Sequence, residues 1–176
     1  ADLIPHVLHA ELLDPLVDLV QQIVAGMHIC DPTGRYRVGV ALKESLLNAL
    51  YRGNLEISFE QMQQAREELL GGSGLDRIQR RRAEAPYRDR RIQVRIHVED
   101  KEARFVIRDE GPGFDVASLP PPGELGSLEP QQGRGLVLMR TFMDEVTFNE
   151  RGNEVTMIKR RDPASKGDST PLESTG

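Results

Sequence analysis

At Ile92 the hydrophobic rhythm of this chain changes. Upstream, Leu16, Leu19, Val20, Ile23, Val24 and Met27 recur at helical spacing. Val38, Ala41, Leu42, Ser45, Leu46, Ala49 and Leu50 do so again along a second segment. From Ile92 the period is two: Ile92, Val94, Ile96 and Val98 alternate with Gln93, Arg95 and His97. Strict alternation is the signature of a strand buried on one face only.

These patterns predict helices over 12–29, 35–51 and 59–70, the third rich in Gln and Glu. Cys30-Asp31-Pro32-Thr33-Gly34 separates the first two. Gly53 stands where a glycine stop ends a helix. Gly71-Gly72-Ser73-Gly74 is a flexible break. Strands are expected at 92–98 and 103–108, around a Glu99-Asp100-Lys101-Glu102 turn, and at 145–149 and 154–160, around Glu150-Arg151-Gly152-Asn153. A short helix fits 135–142. Segment 115–132, with Pro120-Pro121-Pro122-Gly123, has no periodicity, and a loop of that length is commonly functional or disordered. A domain over 1–161, with a helical insert at about 55–91 and a disordered tail over 162–176, is the expected organisation.

A chain of 176 residues is long enough for one proper core. Its net charge of −5 argues against a general nucleic-acid binder. No apolar run approaches the ~18 residues of a membrane span. The lone Cys30 excludes an internal disulfide and reads as a buried small apolar residue, in keeping with a cytoplasmic location. The histidines His6, His9, His28 and His97 lack metal-ligand spacing. Segment 76–91 carries seven arginines. It reads as a solvated helix face paired with Asp76, Glu84 and Asp89, with a phosphate-binding surface as the alternative.

Three motifs carry chemistry. Glu44 and Asn48, four residues apart, share a helix face among small and apolar neighbours. Such a carboxylate can take a proton from a hydroxyl, and such an amide oxygen can coordinate Mg²⁺ beside phosphates. A helix cap or an exposed polar pair is the plain alternative. Next, Asp109-Glu110-Gly111-Pro112-Gly113-Phe114 follows a strand. Its carboxylate can accept from a ligand amine, and Gly111 and Gly113 let a flat ligand approach the backbone. Asp and Gly also compose ordinary turns. Last, Gly133-Arg134-Gly135-Leu136 opens the short helix, where free amides suit phosphate and Arg134 adds charge. A plain hinge has the same composition.

In this order the motifs resemble the Bergerat-fold ATPase superfamily, which holds gyrase and the catalytic domains of histidine kinases. The likeness spans about 4–161. It is nearest to the anti-sigma factor serine/threonine kinases, through 41–54, 109–114, 133–136 and Met139-Arg140-Thr141-Phe142-Met143-Asp144-Glu145-Val146. The resemblance implies an α+β two-layer sandwich, with a mixed, mainly antiparallel sheet covered on one face by helices. It implies ATP and Mg²⁺, with Glu44 as general base, Asn48 as metal ligand and Asp109 facing the adenine amine. Gly111 and Gly113 would shape that wall, Gly133, Arg134, Gly135 and Leu136 would flank the triphosphate, and 115–132 would be the lid.

The chain departs from that pattern in three places. Arg52 replaces a common His, for a phosphate contact or an acid partner. Asn153-Glu154 stands where a hydroxyl residue near adenine is common, Thr156 being the nearest hydroxyl. The insert 55–91 is longer than the compact kinases need. The resemblance implies a protein serine/threonine kinase that acts on an anti-anti-sigma domain or binds a sigma factor. A homodimer is a further expectation, since relatives often dimerise and an open sheet edge offers a surface. The alternatives are a non-catalytic ATP-binding module, or the catalytic domain of a larger histidine kinase or phosphatase regulator.

Overall fold

The computed structural model describes residues 2–3, 6–7, 10–58, 60–62, 64, 74–121 and 133–163. The segment expected to form a lid, beyond 121, and the tail beyond 163 lie outside the described residues, as does most of the third helical pattern, of which 60–62 and 64 are helical.

The sheet begins with two short edge pieces, β1 (Asp2–Leu3) and β2 (His6–Val7), which both pair with β3 (Ile92–Val98). From there the order runs through β4 (Glu102–Arg108) and β6 (Glu154–Arg160) to β5 (Glu145–Phe148). Every pairing among the described strands is antiparallel, so the mixed character expected of the sheet is not found there. Hairpins join β3 to β4 and β5 to β6, and hairpins make antiparallel ladders.

Alternation decides which face is covered. Ile92, Val94, Ile96, Ala103, Phe105, Ile107, Val155 and Met157 are buried beneath the helices. The other face carries Gln93, Arg95, His97, Arg104 and Arg108 and stays open. Thr156 lies opposite Val106 and Thr147 in the register, on this open face and away from the helices. An α+β fold with helices on one side is therefore the architecture.

The covering layer is built from α1 (Leu13–Gly26), α2 (Pro32–Leu47) and α4 (Arg134–Phe142), while α3 (Gly74–Ala83) belongs to the Arg-rich insert. On α1 the buried side chains are Leu13, Leu16, Val17, Val20 and Val24. Leu19 and Met27 point outward, 42% and 38% exposed. The buried stripe is thus rotated from the one the sequence pattern suggested. Two apolar residues on the surface of a helix are ordinary, because polar groups cannot cover a whole protein.

Helix α2 starts three residues before its expected beginning. Pro32 occupies the first turn, where it has no N–H to lose. The Asp31 side chain caps it, accepting from Gly34 N at 2.6 Å. Cys30, beside this cap, is buried as expected. At the other end the helix does not stop at Gly53. It widens into a π-helical stretch over Asn48–Asn54, and Glu56, at φ 50°, turns the chain. One bulky rod therefore runs from the cap at Asp31 to Asn54, buried on the side of Val38, Ala41, Leu42, Leu46, Ala49 and Leu50.

That cap is testable. Asp31→Ala should lower stability by about 1 kcal/mol, the usual loss for a removed helix N-cap. In urea the midpoint should fall with the slope unchanged.

Candidate functional site

The rod of α2 and its π-helical continuation touches both other motifs. At its middle, Glu44 and Asn48 lie half-buried on one face. They meet the first turn of α4: a methyl added to Gly135 would lie 2.9 Å from Glu44 Oε2 and 3.3 Å from Asn48 Nδ2. At its end, Gly53 lies against the Asp109 carboxylate, so closely that a methyl there would overlap all three carboxyl atoms. Glu44 and Gly53 are nine residues apart, roughly 12–14 Å along a helix. The structure therefore strings the three motifs along one element.

Asp109 follows β4 on the side facing the helices, continuing the alternation of Phe105 and Ile107. Asn153 fixes its backbone from both directions. Asp109 N donates to Asn153 O at 3.0 Å, and Asn153 Nδ2 donates to Asp109 O at 3.0 Å. Asn149 holds Asn153 in turn, through Nδ2 to Oδ1 at 2.9 Å and through Oδ1 accepting Asn153 N at 3.1 Å. The next amide, Glu110 N, donates to Oδ1 of Asn54 at 2.8 Å. Asn54 is only 2% exposed, so this bond joins the helix end to the Asp109 loop in a dry place.

Asp109 is 8% exposed, and its carboxylate accepts Gly111 N at 2.8 Å. Burial pushes its pKa up to about 6, while the Gly111 amide and the charges of Arg90 and Arg151 pull it back. A carboxylate so placed keeps acceptor capacity for one more donor. A cavity of about 290 Å³ lies behind it, lined by Gln93, Arg108, Asp109, Glu110, Arg151 and Asn153. Gln93 and Arg108 project from the open face of the sheet, so this cavity lies apart from Glu44, Asn48 and Gly135.

The two loop glycines also make room for protein backbone. A methyl on Gly111 would overlap the Gly53 carbonyl, and one on Gly113 would overlap the Arg151 carbonyl. Gly113 also has φ 81°, where a side chain is strained. What these glycines admit is protein backbone, which makes the wall rigid. The ring of Phe114 then meets Phe148 edge-on at 5.2 Å, closing the loop onto β5.

The remaining expected residues stand around this frame. Gly133 is the buried N-cap residue of α4, its carbonyl accepting Val137 N at 2.9 Å. Arg134 is exposed beside it. The Leu136 side chain is in the hydrophobic core. Arg52 is exposed. A hydrogen bond from Ser58, helped by the charge of Arg52, holds the Glu60 carboxyl below its ordinary range. Asn153 is spent on the Asp109 backbone, and Thr156, the nearest hydroxyl, lies on the open face. Gly53, Asn54 and Asn149 were missed as site residues. The run Arg52-Gly53-Asn54 directly after the Glu44–Asn48 motif was the available signal.

Among the described residues no three His, Cys, Asp or Glu side chains converge to hold a metal. The donor set fits an ion that takes one amide oxygen from Asn48 and shares phosphate oxygens, as magnesium does.

Asp109 makes a stability prediction with a defined sign. Unfolded, it ionises near 3.8; folded, near 6. Below pH 3.8 both states are protonated and nothing is lost. Above pH 6 the fold carries the whole cost of a buried charge, on the order of 2–3 kcal/mol at about 1.4 kcal/mol per pH unit. Asp109→Asn, which keeps an oxygen for Gly111 N, should raise the denaturation midpoint at pH 7. That gain should shrink to nothing by pH 4 in parallel urea titrations.

No curated protein matches this chain. The family model described as "Histidine kinase-like ATPase domain" matches residues 8–159, from just before α1 to the end of β6. That span includes all three motifs, and no helix among the described residues is long and apolar enough to cross a membrane. The chain belongs to the family of histidine kinase-like ATPase domains.

Proposed function

We propose that this domain binds ATP with magnesium and transfers the terminal phosphoryl group to a serine or threonine hydroxyl of a protein partner. The partner class we favour is an anti-anti-sigma domain, with sequestration of a sigma factor as an associated role. One observation supports the reading above others: Glu44 and Asn48 face the bare Cα of Gly135 at the opening of α4, while Asp109 waits at the far end of the same rod.

The roles follow from placement. Asp109, ionised, accepts a hydrogen bond from the adenine amine. The first amides of α4 point at the phosphates, favoured by the helix dipole. Asn48 offers its amide oxygen to the metal, and a bound magnesium ion neutralises phosphate charge. Glu44 takes the proton of the attacking hydroxyl. Little else is asked of the protein, since phosphoryl transfer rests on positioning and charge.

Incubation with labelled ATP and candidate partner domains tests the reading. Glu44→Gln should lower the transfer rate by about 10²–10⁴-fold, the usual worth of a general base, with ATP affinity within a few-fold of wild type. Equal rates would remove Glu44 from that role, and ATP binding without transfer to any partner would favour a non-catalytic module. Gly135→Ala should fold, because the added methyl meets the ends of the Glu44 and Asn48 side chains and no backbone, yet slow transfer by displacing that carboxylate and amide.

The pH dependence has one direction. ATP needs the ionised Asp109, so calorimetric affinity should fall as pH drops through about 6. A flat profile between pH 5 and 7.5 would separate Asp109 from base recognition.

A further inference from the structure

The arginines of segment 76–91 are not all on a solvated face. Arg90 is 18% exposed at its side chain. Its Nη1 donates to Asn54 O at 2.8 Å and pairs with Glu56 Oε1 at 2.7 Å. Its guanidinium lies 5.1 Å from the Tyr87 ring centroid, and Arg81 covers the same ring at 4.6 Å. Arg81 also reaches Leu55 O at 3.4 Å. Both cations thus sit on the last carbonyls of the α2 rod, the negative end of a helix. Immediately downstream, Arg91 N donates to Glu110 Oε2 at 2.8 Å.

These contacts converge on one joint. Asn54 gives its carbonyl to Arg90 and its side-chain oxygen to Glu110 N. Its neighbour Gly53 packs on the Asp109 carboxylate. Glu56, which Arg90 holds, sits at φ 50°, a conformation that strains a non-glycine residue. The Arg90–Glu56 pair therefore anchors a strained turn beside the carboxylate.

We propose that Arg90 is a positioning residue for the base-binding end of the site, locking the end of the α2 rod against the Asp109 loop from within the insert. The inference rests on the ATP-binding reading above and concerns the same site. The part of the insert from Arg81 to Arg90 then acts as a brace, stacked through Tyr87, that sets where Gly53 and Asn54 stand. Its positive charge also acts on the Asp109 carboxylate. The other charged groups nearby are Arg151 from the β5–β6 turn, Glu110 in the loop itself, and Glu56, which Arg90 holds. Arg52 at the rod's end is exposed.

The test is calorimetry with ATP and magnesium from pH 5 to 8 on the whole chain and three variants. Arg90→Gln should bind about tenfold more weakly, as expected for losing a charged hydrogen bond, and its affinity should fall off at a higher pH than wild type. Arg90→Lys should keep the wild-type pH profile while still losing affinity, because it retains charge without the planar fork. Arg88→Ala should match wild type, since Arg88 is largely exposed beside Asp89. Wild-type affinity in Arg90→Lys, or an unmoved pH profile in folded Arg90→Gln, would overturn the proposal. Should Arg90→Gln fail to fold, Arg90→Lys decides alone on affinity. Failure of the wild-type protein to bind ATP would instead defeat the underlying reading.

Discussion

The fold keeps a carboxylate out of water by pressing it against a residue with no side chain. The Asp109–Gly53 contact joins the helical layer to the sheet, and each neighbouring feature follows from it. The rod must reach that far, so it continues past Leu47 as a π-helix. Gly53 must be bare, and Gly111 must be bare again so that the Gly53 backbone can approach. Asn153 and Asn54 take up the backbone groups of Asp109 and Glu110 that the contact would otherwise leave unpaired. The arrangement holds a charge where burial opposes it, a cost that natural proteins tolerate at functional positions.

Helix α2 is a core element and a site element at once. Val38, Ala41, Leu42, Leu46 and Ala49 anchor one side in the interior, which fixes the rotation of the helix to within a side chain. Glu44 and Asn48 are then aimed by that packing. The Ser45 hydroxyl, buried between the two faces, is satisfied locally by Leu42 O at 2.8 Å. A site on a packed helix is held more firmly than one on loops, and here the opposite wall, α4, is itself seated in the core through Leu136 and Met139.

Much of this was legible in the sequence for a plain reason: periodicity reports burial. The alternation from Ile92 located β3 and its covered face, and the pair at 44 and 48 located the polar side of α2. What stayed hidden depends on contacts between distant segments. Gly53 reads as a helix stop because glycine commonly is one; only its meeting with Asp109, fifty-six positions downstream, gives it a second role. Leu19 and Met27 fit a helical stripe as well as Leu13 and Val17 do, and the neighbours decide which stripe is buried. Asp31-Pro32 looked like a break because both residues suit turns, yet the same two residues make a good helix start. A run of arginines carries no hint of which cation will stack on Tyr87.

The buried carboxylate also ties ligand binding to proton release. A ligand that donates an amine hydrogen to Asp109 favours the ionised form and lowers its pKa in the complex. Near pH 6 the unliganded site is partly protonated, so such a ligand must expel that proton. Binding enthalpy measured there will then vary with the ionisation heat of the buffer. Well above pH 6 the proton is already gone and the buffer dependence vanishes. A ligand that merely fills the crevice, without touching the carboxylate, has no such linkage. The part of the buffer dependence that Asp109→Asn abolishes therefore reports contact at Asp109 itself, separately from any proton that the phosphates release at the Glu44 end.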